Sequence, residues 1–260
     1  LFGVAAAAAV AWGLISPSGA NDLIGGDEGY YGTMARNTLA APAQVVSPSL
    51  TPLGPPGDKP PLYPLMIAAF VRAWGAGPAA VRAPSALCAF AIPLGVGVLL
   101  LPAVGGVAAV FATALLATLP WFADASRRAA AELPLTTFAL CALVVLAANP
   151  RSRARATVAG ALFGLAFLCK LWLVAPAALA AVAMIAGRER RAGQALAVLV
   201  VTATGVASLH VAAVAVARPA DFDHWRHIYL WRSLAERVSG EGYADYWRQP
   251  AGVYWATVTR

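Results

Sequence analysis

Residues 83–123 contain no Asp, Glu, Lys or Arg. A bilayer's hydrocarbon core is about 30 Å thick and a helix needs about 20 apolar residues to cross it, so this one run has room for two crossings. Ala192 to Ala217 is a second uncharged run, interrupted only by His210, and 133–150, 156–169 and 171–187 are shorter ones closed off by Arg, Lys or Glu. The 260 residues are 60% hydrophobic and 12% charged, whereas a soluble domain is about 25% charged. These features exclude a soluble globular protein and predict an all-α, polytopic transmembrane bundle. The strip Leu1 to Asn21 reads as a first span. A secretory signal is the competing reading, because Ser18-Gly19-Ala20 resembles a small-residue cleavage site, but the spans that follow favour an uncleaved helix.

The formal net charge of +7 does not require a nucleic acid, because its distribution is that of a membrane topology. Arg151, Arg153 and Arg155 fill one short loop, and Arg188, Arg190 and Arg191 fill another. Short basic loops between apolar spans mark the cytoplasmic side. Of 12 acidic residues, only Glu189 lies in those loops. The others fall in 22–58, 124–132 and 221–245, which are expected to face outward.

The chain divides into a first span at 1–15, an outer loop at 16–58 and an apolar segment from Pro60 to Trp74. Spans follow at 83–101 and 104–121, with Pro102 to Gly106 as the turn. A short outer stretch then carries Asp124, Arg127, Arg128 and Glu132. A span at 133–148, a hairpin at 156–187 and a span at 193–217 lead to an outer segment, 218–250, rich in Trp, Tyr and His. Three apolar segments lie between the outward Asp27 loop and outward Glu132, and an odd number cannot return the chain to the same side. The segment 60–75 opens with prolines and contains Arg72, which suits a helix at the interface or one dipping part way. The alternative is one crossing plus a re-entrant piece within 83–121.

Ionisable groups beside a bilayer cost several kcal/mol unless solvated or paired, so their clusters are functional candidates. The first outer loop holds Asp27-Glu28-Gly29-Tyr30-Tyr31 and, further on, Lys59-Pro60-Pro61-Leu62-Tyr63. Asp27 is placed to cap a helix running to about Ala40. On it Tyr30, Tyr31, Met34 and Thr38 share a stripe by three-and-four spacing. That pattern predicts an amphipathic helix along the membrane surface with both carboxylates at its N-terminus, where the helix dipole favours them. A plain cap and a solvated loop are the structural alternatives.

Cys88, Cys141 and Cys169 lie in apolar runs and read as small core residues. His224 and His227 have a spacing that can bind zinc on a helix, with Arg232 nearby, but nothing else there completes a site. Lys170 reads as an interfacial anchor.

Five stretches, in order, resemble the GT-C glycosyltransferases that use polyprenyl-phosphate sugars. The similar branch contains bacterial aminoarabinose transferases and protein O-mannosyltransferases. The stretches are DEGYYGTMARNTL at 27–39, KPPLYP at 59–64, RAPSAL at 82–87, SRRAAAELPLTTF at 126–138 and GLAFLCK at 164–170. In the last, Cys169 replaces the family's usual Thr. The resemblance implies one GT-C transmembrane module over 1–260, the N-terminal part of a longer enzyme. It implies transfer of a sugar from a polyprenyl-phosphate donor to an acceptor hydroxyl on the extracytoplasmic face of a bacterial-type plasma membrane. Asp27 is then the expected base, with Glu28 its neighbour. Lys59, Arg36, Arg127 and Arg128 are expected at the donor phosphate, Glu132 at sugar or metal, and Tyr31 and Tyr63 along the sugar. The resemblance fixes no cofactor and is compatible with a divalent metal, and sugar and acceptor stay open. The other classes are a polytopic transporter, for which no inverted repeat is visible, and a non-catalytic remnant that binds lipid-linked sugar.

Overall fold

The computed structural model describes residues 27–46, 59–150, 152–170 and 190–226, together with positions 48, 178 and 182. Every regular element among them is helical. In order they are α1 (Asp27–Ala40), a 3₁₀ turn at Pro42–Val45, α2 (Leu62–Trp74), α3 (Pro78–Thr118), α4 (Pro120–Ser126), α5 (Glu132–Ala148), α6 (Arg153–Cys169) and α7 (Arg190–Ala217). A 3₁₀ turn at Pro219–Asp221 leads to α8 (Phe222–Arg226). The expected span at 1–15, the return arm of the hairpin up to 187 (except positions 178 and 182) and the aromatic segment beyond 226 lie outside the described residues.

α3 is two arms, not one rod. Gly105 sits at φ 77° and ψ 168°, a conformation that costs a side-chain-bearing residue dearly and glycine little. Beyond it the chain doubles back, because the Thr113 hydroxyl comes within 3.5 Å of the Pro93 carbonyl oxygen. Twenty residues of straight helix would separate them by about 30 Å. The turn therefore falls within the expected 102–106. The first arm, however, begins at Pro78 instead of 83. Pro78 occupies the first helical position, where its missing N–H costs nothing, and Arg82 is drawn inside the helix by an ion pair. Apolar side chains of both arms stay exposed, Val107 at 88% and Phe111 at 70%, as lipid-facing residues do.

α2 has 13 residues, about 20 Å of helix, too short to cross a bilayer. It stops at Gly75, whose φ of 88° turns the chain while its N–H donates to Val71 O at 2.9 Å. This agrees with a segment that does not cross. Among the described residues, α3 and the Gly193–Ala217 part of α7 are the two helices long and apolar enough to span.

α5, α6 and α7 share one core of Leu135, Ala139, Leu146, Ala156, Phe163 and Leu199. With lipid outside there is little hydrophobic drive between helices, so close approach through small residues does the work. Gly160 and Gly164 supply it on α6. A Cβ on Gly160 would stand 2.5 Å from the Leu199 carbonyl oxygen, and one on Gly164 2.5 Å from Val206 Cβ. Gly160→Ala is therefore expected to push α6 and α7 apart and cost about 1–3 kcal/mol, the range for overpacking. An unchanged thermal midpoint in detergent would refute that contact.

Candidate active site

One end of the bundle gathers α1, the start of α2, the first arm of α3, the 127–131 loop and the α5 and α6 ends that carry Glu132 and Lys170. α1 begins at Asp27, so Asp27 and Glu28 occupy its first turn. Of the predicted stripe, Tyr31 and Met34 are buried at 0% and Thr38 at 5% exposure, while Tyr30 stays half-buried at its edge. It packs on Tyr63, Ile67 and Val71 of α2 and on Ala129 and Ala131. Glu28 and Asn37 are buried with it.

A buried carboxylate needs partners for both oxygens. Arg82 supplies a forked pair to Glu28, Nε donating to Oε1 at 2.9 Å and Nη2 to Oε2 at 3.0 Å. The Ala129 N–H donates to Oε1 at 2.8 Å across 101 residues. Beside it the Tyr63 and Ser85 hydroxyls lie 2.6 Å apart, and the Ala130 N–H donates to Ser85 Oγ at 3.0 Å. Four segments are thus latched around Glu28. The Tyr31 and Tyr63 rings meet edge to face, centroids 4.9 Å apart, and both are wholly buried. Glu28 is thus enclosed in this latch, with Tyr31 and Tyr63 buried beside it.

Above the latch lie the accessible charged groups. Asp27 is exposed and stands one turn before Tyr30 and Tyr31 on α1. The Lys59 ammonium lies over the Tyr30 ring, 5.6 Å from its centroid, a cation–π arrangement. Leu62, at the start of α2, packs against the α5–α6 core, which brings the Lys59 segment to the ends of those helices. There Lys170 Nζ pairs with Glu132 Oε1, and Lys59 also acts electrostatically on Glu132. Asp27, Lys59 and Glu132, far apart in sequence, come to one end of the molecule. Lys170 is therefore no simple interfacial anchor: it is the ion-pair partner of Glu132.

The adjacent arginines differ. Arg128 is exposed and paired with Asp124 at 3.0 Å, one turn back. The Arg127 Nε is enclosed and has no hydrogen-bond partner among the described residues, two positions before the N–H that holds Glu28. Arg36 is exposed on α1, away from the buried Tyr31 stripe. Among the described residues no three His, Cys, Asp or Glu side chains come together as a metal site would require. His227 and Arg232 lie outside the described residues. A cavity of about 320 Å³ opens elsewhere, between α6 and α7, lined by Phe163, Phe167, Thr204, Ser208 and His210. The charge lies at the bundle's end and this apolar space does not.

Arg82 and Lys170 are the two residues that sequence reasoning passed over. Arg82 served only to close off the uncharged run, and Lys170 looked like any lysine at a span's end. Both stand inside quoted family-like stretches, and an ionisable residue at the edge of an apolar run is itself a signal.

The structure is similar to that of ArnT from Cupriavidus metallidurans. Against its apo state the TM-score is 0.71 at 21% identity, covering 85% of this chain and 43% of that one. Against ArnT bound to undecaprenyl phosphate it is 0.73 at 19%, covering 90% and 44%. The archaeal oligosaccharyltransferase AglB from Archaeoglobus fulgidus, in complex with an inhibitory peptide and a dolichol-phosphate, gives 0.56 at 16%, covering 98% and 36%. This chain spans less than half the length of each. No curated protein matches. The fold shared with these structures is the all-helical GT-C membrane architecture. Residues 58–215, more than half of the sequence, match the dolichyl-phosphate-mannose-protein mannosyltransferase family model, and the chain belongs to that family.

Proposed function

We propose that this chain carries the donor-binding end of a membrane glycosyltransferase that moves a sugar from a polyprenyl phosphate to an acceptor hydroxyl. The observation that carries it is the meeting of exposed Asp27 with Lys59, Tyr30 and the Glu132–Lys170 pair at one end of a lipid-facing bundle. Two of the similar structures are complexes with undecaprenyl phosphate and with a dolichol-phosphate, which supports the donor class. Arg153 and Arg155, at the start of α6 and away from Lys170 at its end, follow the basic pattern of a cytoplasmic side, which supports an extracytoplasmic site in a bacterial-type plasma membrane.

In this reading Asp27 accepts the proton of the acceptor hydroxyl, whose oxygen attacks the anomeric carbon. The bond from that carbon to the phosphate oxygen breaks on the opposite face, and the polyprenyl phosphate leaves with the electron pair. Lys59 and Arg127 take up its charge. Tyr30, the accessible ring, borders the sugar.

The test is transfer from a panel of polyprenyl-phosphate sugars in membranes holding the full-length protein. Lys59→Ala is expected to raise the donor KM about 10- to 100-fold, since a hydrogen bond to a charged group is worth about 1.5–3 kcal/mol. A neutral polyprenol should lose little affinity. No transfer from any donor by well-inserted parent protein would refute the reading.

A further inference from the structure

Glu132 has two cationic neighbours and is bonded to one of them. Lys170, with 20% of its side chain exposed, is the bonded partner. Lys59, at the junction of the outer loop with α2, is near enough to act on the same carboxylate yet rests over the Tyr30 ring. These are the chain's two lysines. An aromatic face holds an ammonium weakly, by about 0.5–1 kcal/mol at an exposed site. A half-buried carboxylate would hold it more firmly and would compete with any incoming anion.

We propose that Lys170 is a positioning residue that occupies Glu132, so that the Lys59 ammonium stays available to the anionic phosphate of a lipid-linked ligand. This rests on the donor-binding reading above and deepens it. Glu132 serves here as a tether for the α5 and α6 ends, and its charge is harmless to the ligand while Lys170 covers it. Remove Lys170 alone and Glu132 turns to Lys59, so the site loses the use of both lysines. Remove the carboxylate as well and Lys59 is released. The pattern expected is a single variant more damaged than the double variant that contains it, which simple loss of packing at Lys170 would not produce.

The experiment uses the full-length protein in nanodiscs, with parent, Lys170→Met, Glu132→Gln and the double variant. Binding is measured with undecaprenyl phosphate and with undecaprenol. Parent should prefer the phosphate. Lys170→Met should lose that preference about tenfold or more, and the double variant should recover most of it. In Lys170→Met the only lysine left among the 260 residues is Lys59, so its reaction with an amine reagent, read at that residue by mass spectrometry, reports capture without any ligand. Labelling should be roughly threefold or more slower than in the double variant, the size of a surface ion pair. Equal labelling in the two, or a double variant as weak as Lys170→Met, overturns the proposal while the donor reading stands. A parent that does not distinguish phosphate from alcohol overturns both.

Discussion

Arg82→Ala is expected to be the most destabilising single substitution at this end of the bundle, costing about 3–5 kcal/mol, the range for breaking a buried ion pair. The Glu28 side chain is 3% exposed, so the truncation takes the guanidinium fork from a carboxylate that bulk water cannot reach in its place. Arg82→Lys keeps the charge but cannot reproduce the fork to both oxygens, and it should fall between parent and Ala. The informative comparison is Glu28→Gln with Arg82→Met. That pair leaves no buried charge and should melt above Arg82→Ala, although it removes more polar contacts. Thermal unfolding in detergent checks the order. If Arg82→Ala melts with the parent, Glu28 is not held as described.

Asp27→Asn should do the reverse, sparing the fold and removing the reaction. Asp27 is exposed and in the first turn of α1, so losing its charge there costs about 0.3–1 kcal/mol of helix-dipole interaction. A general base is worth about 10²–10⁴ in rate, and the amide cannot take a proton. In the full-length protein, transfer should fall by that factor while donor binding and the melting temperature stay near the parent's. A well-inserted Asp27→Asn protein that transfers at the parent rate would end the assignment of Asp27 as base.

The helices were legible because lipid imposes a simple rule, and uncharged runs bounded by Arg or Glu are spans. α1 was placed at 27–40 and α5 at 133–148, within a residue of where they lie. α3 starts before the expected 83 because a charge ordinarily marks the edge of a span, and nothing local to Arg82 shows that Glu28, 54 positions earlier, will neutralise it. Pro84 and Pro93 lie within α3 without ending it, as membrane helices tolerate, while the break falls on Gly105 beside Pro102. Asp27, Lys59 and Glu132 are legible as candidates because each is a charged residue at the edge of an apolar segment. The division of labour between Asp27 and Glu28, or between Arg127 and Arg128, was not. Neighbours in sequence point to different sides of a helix or turn, and only the packed partner decides which is buried.

The Glu28–Ala129 hydrogen bond also has a meaning in time. Ribosomes add about 5–20 residues per second, so the 101 residues between the two take roughly 5–20 s to make. Until then the Ala129 N–H that donates to Glu28 does not exist, and the segments latched around Glu28 cannot close on one another. A chain stalled before residue 129 would carry Asp27, Lys59 and Arg82 and still lack the clasp that sets them.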